Sequence, residues 1–368
     1  MASFIEVLGM IPLALLWNPR KFVISSKKLF WRAHPLRINV LGQSIYVVQG
    51  AANIAATVRQ RNLSSFTLHQ YILKRVFNLP DEAVMTYQAD NSGRNITPHA
   101  GSNVEPRNRV EFLATDSVHQ LLLGPGLASL SRKFQIDIAH RLHALWSGQN
   151  DGVIKDDFFD LFIEDLWTLD DNVWKYLFQV PRFLSPTSYT AKDRAVSAIK
   201  AWHSWAREHI DPASTDDRDN DLLWGSQFFR DRQGMFQNMD GFDADAIASQ
   251  DLAFLWGALN NVVISSFWTT LECIRNEVHT CQQHQKSGSR IHNLPIKASF
   301  MPFGAGDHLC PGRRFAKVIT LLVTALLVNM YDVEILGDAK HVGMSMRNFG
   351  FGMLGPDRTV RVRRRKVV

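Results

Sequence analysis

Alternation of apolar and polar residues marks short extended regions towards each end of the chain. Residues 36–49 alternate about a central Gly-Gln pair, which predicts a β-hairpin, and residues 51–61 then have the pattern of a short helix. Residues 331–336 and 359–363 alternate in the same way and predict two further strands. The β structure is therefore expected to be small and to flank a long helical middle.

The middle of the chain carries the periodicity of amphipathic and buried helices. The predicted helices cover residues 110–123, 131–147, 156–179, 187–209, 244–275 and 311–330. Polar stretches without a clear period predict loops at 89–108, 210–222 and 282–298. No internal repeat or clean boundary divides the pattern. We therefore predict a mainly α fold with small β regions, in a single domain over residues 1–368.

Composition agrees with a folded globular protein. Hydrophobic residues make up 46% of the chain, and 23 Phe and 10 Trp favour a deep core or an apolar pocket. The net charge of +6 is spread along the chain, and its densest run, residues 361–366, is typical of a solvated strand end. No basic stripe interleaved with aromatic residues is present, so no nucleic-acid partner is expected.

The first 22 residues are apolar but contain Glu6 and Pro12, and they are too short to span a bilayer. Two interpretations remain open. The segment lies on a membrane surface, with Trp17 at the interface, or it is an ordinary packed terminus. No clear transmembrane helix is predicted.

The residues with the strongest chemical signal surround Cys310. Gly304 and Gly306 allow a tight turn and a close approach to a flat ligand. Pro311 suits the first position of the helix that follows, and a helix N-terminus stabilises a thiolate. Such a thiolate is a nucleophile, a structural thiol or a metal ligand. A weaker alternative is a zinc site, whose spacing fits no standard finger, made from Cys273, His279, Cys281 and His284.

The pattern Phe-x-x-Gly-x-His-x-Cys-x-Gly resembles the haem-binding loop of the cytochrome P450 superfamily. The positions that match are Phe303, Gly306, His308, Cys310 and Gly312, with Ala316 six residues after the cysteine. The fixed spacing of five matching residues makes a chance match improbable. The expected fold is therefore the cytochrome P450 fold in an incomplete form.

The resemblance implies a cofactor and a role for each residue. The cofactor is haem b, iron protoporphyrin IX, and the Cys310 thiolate is the axial ligand of the iron. Phe303 packs against the proximal haem face, and His308 holds a haem propionate. The implied activity is that of a monooxygenase, an oxidoreductase that inserts one oxygen atom from O2 into an apolar small molecule.

The apolar stretch 251–268 resembles the family's long helix across the distal haem face. It lacks the usual acid–Thr pair and instead carries Asn260 and Asn261. In this respect it is similar to the branch of prostacyclin synthase and sterol 7-alpha-hydroxylase, which places Asn at the Thr position. Asn261 is therefore the candidate catalytic residue. A core amide satisfied by hydrogen bonds is the alternative.

The resemblance fails between the distal helix and the cysteine loop. Only 34 residues separate Arg275 from Cys310, so a family block is expected to be missing between about 276 and 290. Glu272 and Arg275 spell the family's Glu-x-x-Arg pattern, but their position indicates the tail of the distal helix. The missing block leads to one alternative, a truncated, non-catalytic protein that binds haem weakly or not at all. The missing acid–Thr pair leads to another, an O2-independent isomerase or dehydratase.

The resemblance also implies partners and a location. The partners are an apolar small-molecule substrate, O2 and an NADPH-dependent reductase. Arg313, Arg314 and Lys317 are basic residues that could dock an acidic reductase, although they are equally typical of a solvated helix. The implied location is the membrane-associated, cytosolic face of the endoplasmic reticulum, with possible peripheral membrane contact.

Overall fold

The structure is a computed structural model of all 368 residues. It describes residues 5–7, 36–40, 43–48, 50–60, 66–122, 126–147, 157–209, 224, 226–275, 302–304, 309–335, 342–345, 353–356 and 360–364.

The described strands form two small sheets. The first contains β1 (Ile5–Val7), β2 (Leu36–Val40) and β3 (Gln43–Val47), and the second contains β4 (Tyr331–Ile335) and β5 (Val360–Arg364). The β2–β3 hairpin is antiparallel and pairs Val40 with Gln43, so the sequence prediction of a hairpin is confirmed. The strand β1 runs parallel to β2, which neither interpretation of the first 22 residues included.

Helices account for most of the described residues. They are α1 (Ala51–Val58), α2 (Phe66–Val76), α3 (Asp81–Ala89), α4 (Val110–Leu122), α5 (Gly126–Ser147), α6 (Asp157–Asp171), α7 (Val173–Leu177), α8 (Pro186–Glu208), α9 (Gln227–Gln237), α10 (Ala244–Arg275) and α11 (Arg313–Met330). Short 3₁₀ helices cover Pro106–Asn108 and Arg182–Leu184. The mainly α class with small β regions is confirmed.

Several predicted boundaries need correction. The helix predicted over 156–179 is divided at Asn172 into α6 and α7. The helix predicted from Pro311 begins at Arg313, because Pro311 and Gly312 form a turn before it. Three helices were not predicted: α2, α3 and α9. The loops predicted at 210–222 and 282–298 lie outside the described residues.

The chain falls into two compact units. The first contains residues 1–65, 270–310 and 332–363, and the second contains residues 66–269, 311–331 and 364–368. In the second unit, α6 packs on α8, α4 packs on α9, and α11 packs on α5. Its buried core includes Leu73, Phe77, Leu169, Phe236 and Leu252. The single domain over 1–368 and the missing block near 276–290 remain predictions.

The long helix α10 is the one described helix that is apolar and long enough, over Ala244–Ile274, to cross a bilayer. Length and composition alone carry this finding, and the core helix of a soluble protein passes the same test. Within its most apolar stretch, 22% of the residues are buried.

Candidate functional site

The loop that carries Cys310 is closed by its own backbone. The N–H of Cys310 donates a hydrogen bond to the carbonyl of Phe303 at 2.8 Å, which joins two residues of the sequence motif. Gly304 has a φ of +74°, in the left-handed region that glycine adopts without steric cost. The tight turn predicted at Gly304 is therefore present. Cys310 is half-buried and carries a thiol rather than a disulfide.

The helix after the cysteine begins within the same motif. The N–H of Ala316 donates to the carbonyl of Gly312 at 2.9 Å, so Gly312 accepts the first hydrogen bond of α11. Cys310 thus precedes the cap of this helix by two residues. The N–H groups of a first helical turn lack partners inside the helix, and the helix dipole favours a negative charge near that end.

The first turn of α11 is anchored in the core of the second unit. Phe315 packs against a buried cluster formed by Val118, Leu122 and Phe228. On the same turns, Arg314 and Lys317 are exposed and Arg313 is half-buried. The three basic residues considered for a reductase therefore lie together on one short stretch of helix.

Some predicted site residues lie outside the described part of the chain. These are Gly306 and His308 of the motif, and the zinc candidates His279, Cys281 and His284. Cys273 is described and is half-buried in the last turn of α10. Glu272 and Arg275 belong to that same turn, as the sequence indicated.

The middle of α10 carries side chains that bond back to their own helix. Asn261 is exposed, and its Nδ2 donates to the carbonyl of Gly257 at 2.9 Å. Ser265 donates to the carbonyl of Asn261 at 2.6 Å, and Ser266 and Thr269 make the equivalent bonds to carbonyls four residues earlier. Bonds of this kind compete with the backbone ladder and bend helices.

Asn260 has a different environment from its neighbour. It is buried, and its Nδ2 donates to Oδ1 of Asp170 on α6. The same oxygen accepts a bond from Trp256 Nε1 at 2.8 Å. Between the two adjacent amides, Asn260 is therefore the core amide with a polar partner, and Asn261 lies at the surface.

A buried charge cluster in the first half of α10 was not predicted from the sequence. Arg232 of α9 donates from Nε to Oδ1 of Asp251 at 2.9 Å, and His203 Nε2 lies 3.2 Å from Oδ2 of the same carboxylate. All three side chains are almost completely buried. The guanidinium also lies 4.9 to 5.3 Å from the rings of Phe228, Phe236 and Phe254. No sequence pattern indicated this cluster, because the three residues come from three different helices.

A second buried arginine organises the loop before α4. Arg109 donates to Ser92 Oγ at 3.1 Å, to the carbonyl of Ile96 at 2.7 Å, and to the carbonyl of Asn95. Asp90 accepts bonds from the N–H and the hydroxyl of Ser92. Carbonyls that the loop would otherwise leave to water are thus bonded to one side chain.

Lys192 of α8 is a buried amine between two aromatic rings. Its Nζ donates to the carbonyl of Arg75 at 3.1 Å and lies 4.7 Å from the Tyr176 ring centroid and 5.0 Å from that of Tyr189. The pKa of Lys192 is lowered to about 8, chiefly by burial; Asp193 opposes this shift, and the nearby Arg182 and Arg75 contribute to it.

Comparison with known proteins gives one family. A family model described as Cytochrome P450 matches residues 287–360, a segment that contains the Cys310 loop and α11. "Cytochrome P450 monooxygenase fsoE" of Humicola fuscoatra is 22% identical over 526 residues, covering 100% of this chain and 87% of the relative. "Cytochrome P450 monooxygenase efuG" of Hormonema carpetanum is 20% identical over 91% of this chain.

A third relative matches a shorter segment. "7-alpha-hydroxycholest-4-en-3-one 12-alpha-hydroxylase" of Oryctolagus cuniculus is 36% identical over 81 residues, or 22% of this chain. The chain spans 63% of the second relative and 15% of this one. The alignment to the first relative extends over more positions than the 368 residues of this chain, so this chain has gaps where the relative has residues.

Proposed function

We propose that this chain is a member of the cytochrome P450 family and a haem-thiolate monooxygenase that inserts one oxygen atom from O2 into an apolar small molecule. The observation that carries the proposal is the closed Phe303–Cys310 loop directly before α11, within the segment that matches the family. A lone core cysteine would need no such loop.

The residues present fit a haem. Cys310 supplies one soft anionic donor, and thiolates at such sites ligate haem iron. Gly304 and Gly312 bear no side chain that would crowd a flat ligand next to the thiol. Cys310 would hold the iron, Phe303 would cover the proximal face, and Gly306 and His308 would complete the loop. When bound, the haem supplies the activation of O2.

The chain's own groups hold and tune that ligand. Closure of the loop by the Cys310–Phe303 bond restricts the position of the sulfur before any ligand arrives. The helix α11 begins at Arg313, three residues after Cys310, and so follows the loop directly. In this proposal, Asn261 is the catalytic residue that contacts the reacting atoms on the distal side, and it keeps an amide there in place of an acid–Thr pair.

The surface of α10 supports an apolar substrate. Leu259 and Val263 are exposed on this apolar helix, on either side of Asn261 in the sequence. Exposed apolar side chains of this kind fit an apolar cofactor and substrate, and a concave apolar site buries most of a small ligand. A substrate of the sterol or prostanoid type is the finer proposal, since the sequence resembles that branch.

The proposal also includes the redox partner, the form of the cofactor and the location. Arg314 and Lys317 are exposed and suit the docking of an acidic, NADPH-dependent reductase, and haem b is the proposed form of the cofactor. A location on the cytosolic face of the endoplasmic reticulum, with peripheral membrane contact, completes it.

A second candidate is an incomplete chain that binds haem weakly. It is favoured by the low burial of α10, where 22% of the most apolar stretch is buried, and by the gaps in the alignment to the Humicola relative. Loss of a family block near 276–290 would remove packing partners, and exposed apolar surface costs roughly 25 cal/mol per Å².

The test is a spectrum of the purified full chain reconstituted with hemin. A thiolate-type Soret band in the reduced, carbon-monoxide-bound protein that is lost in Cys310→Ser supports the monooxygenase. Cys273→Ser is the matched control and is expected to keep the band. No hemin uptake by the wild-type chain supports the incomplete chain, and a band indifferent to Cys310→Ser overturns the ligand assignment.

A further inference from the structure

The middle turn of α10 is tied to α6 through a single carboxylate oxygen. Oδ1 of Asp170 accepts from Trp256 Nε1 at 2.8 Å and from Asn260 Nδ2. The two donors are four residues apart and so lie on one face of α10, one turn from each other. Asp170 and Asn260 are both buried.

This arrangement fixes the orientation of the Asn260 amide. Only the NH2 end of an amide can donate to a carboxylate, so the amide oxygen must point elsewhere. That oxygen is buried and has no hydrogen-bond partner among the described residues. A buried acceptor left in this way costs free energy. The buried Asn260 oxygen stays without a partner, which indicates that the bond to Asp170 determines the orientation of the amide.

The two bonds to Asp170 lie directly before the residue proposed as catalytic, Asn261. The residues that follow, from Asn261 to Thr269, carry the side chains that bond back to carbonyls four residues earlier, and bonds of this kind weaken the backbone ladder. Trp256 is also held by the ring of Phe77, with 5.6 Å between ring centroids. The turn from Trp256 to Asn260 is therefore held by contacts outside its own helix, and the segment after it begins with Asn261.

We propose that Asp170 is a positioning residue, which holds the Trp256–Asn260 turn of α10 and thereby determines the position of Asn261. The inference rests on the proposed function for the role of Asn261, but the tie itself concerns the chain alone. Asp170 would act through Asn260 and the helix backbone and would touch neither the substrate nor the cofactor.

The variants are Asp170→Ala, which removes both bonds, and Asp170→Asn, which removes the charge but keeps an oxygen that accepts from both Trp256 and Asn260. Asp165→Ala is the matched control. Asp165 is a second buried carboxylate on α6, and it pairs with Arg194 of α8, at 2.5 and 2.9 Å, instead of with α10. Both alanine variants are expected to lower the melting temperature, so stability alone does not separate them.

The first readout is hydrogen–deuterium exchange of backbone amides 256–264 in the full chain without hemin. Exchange there should be about tenfold faster in Asp170→Ala, the size expected for losing a hydrogen bond to a charged group. It should stay near wild type in Asp170→Asn and in Asp165→Ala. The second readout is imidazole affinity of the hemin-loaded ferric chain, from the Soret shift. It should change several-fold in Asp170→Ala and stay constant in the control.

The outcomes are separable. If the wild type shows no Cys310-dependent spectrum, the proposed function fails, and the exchange experiment still tests the tie. If the spectrum is present but Asp170→Ala exchanges and binds imidazole as Asp165→Ala does, the inference is overturned. If Asp170→Ala does not fold, Trp256→Phe removes one donor while keeping an aromatic ring, and unchanged exchange in that variant overturns the inference.

Discussion

Arg232 and Asp251 form an ion pair inside the core of the second unit, with 2.9 Å between Nε and Oδ1 and with both side chains almost fully buried. His203 lies 3.2 Å from the second oxygen of the same carboxylate. The guanidinium of Arg232 from α9 and the imidazole of His203 from α8 therefore both meet the carboxylate of Asp251 on α10. Removing one member leaves uncompensated charge in a place that water does not reach.

Asp251→Asn is consequently expected to lower the free energy of unfolding by about 3–5 kcal/mol, the usual effect of breaking a buried ion pair from one side. The control is Asp245→Asn on the same helix, because Asp245 pairs with Lys200 at 2.7 Å while both side chains are largely exposed. That change should cost about 1 kcal/mol or less. Urea unfolding measures both, and equal losses would contradict the prediction.

Lys192 should make stability depend on pH in the alkaline range. Its pKa is about 8 in the folded chain and 10.5 as its ordinary value, so the unfolded chain binds more protons between these values. The free energy of unfolding should therefore rise as pH increases above 8. Burial raises the pKa of Tyr176 and of Tyr189, so at higher pH these phenols lose their protons more readily in the unfolded chain. This lowers the free energy of unfolding and opposes the effect of Lys192, so the measurement should stop near pH 10.

Lys192→Met is expected to remove this rise, because methionine fills similar space without a charge. Urea unfolding at intervals from pH 7 to pH 10 measures the slope. Lys200→Met, at an exposed position of the same helix, serves as the control and should retain the wild-type slope. A slope unaltered by Lys192→Met would show that the amine is solvated in the folded chain.

The loop from Ser92 to Ile96 should lose its order when Arg109 is replaced. Arg109→Lys keeps the charge but cannot supply three donors in the planar fork that now reaches Ser92, Asn95 and Ile96. We expect faster limited proteolysis within residues 92–104 and a loss of about 1.5–3 kcal/mol in stability. Arg107→Lys, at an exposed neighbouring position, should change neither, and cleavage at the wild-type rate in Arg109→Lys would refute the assignment.

Gly304→Ala tests the cysteine loop without touching the cysteine. A side chain at a φ of +74° costs roughly 1–2 kcal/mol. The chain should therefore take up hemin about tenfold more weakly if the turn must keep its shape to hold the ligand. Gly355→Ala is the control, because a Cβ there meets no atom within 4 Å. Hemin titration followed by absorbance measures the affinity, and equal affinities would exclude a role for the turn.

The sequence pattern predicted those parts of the structure that depend on contacts between residues close together in the chain. The β2–β3 hairpin follows from alternation within fourteen residues, and α10 and α11 follow from long apolar stretches. The Cys310 loop was readable for the same reason, since the bond that closes it joins residues only seven positions apart. Its resemblance to a family added the cofactor, which no periodicity could indicate.

Contacts between distant residues account for what was missed. The helix α9 is polar and contains Gly234, so its sequence predicts no helix, yet Phe228 and Phe236 bury one face and Arg232 between them meets Asp251. The bond between Asp170 and Asn260 joins positions 90 residues apart. The sequence indicated that a buried amide needs a partner, but only the packing of α6 against α10 identified it.

The hydroxyl groups of Ser265, Ser266 and Thr269 share carbonyls with the backbone in the second half of α10, so we expect this segment to bend more easily than the first half. When such a helix flexes, an acceptor that loses its main-chain donor keeps a hydroxyl or amide donor, so curvature changes with little enthalpic cost. We expect complexes with ligands of different size to differ first in the curvature of α10 beyond Asn261, while the turn held by Asp170 keeps its place.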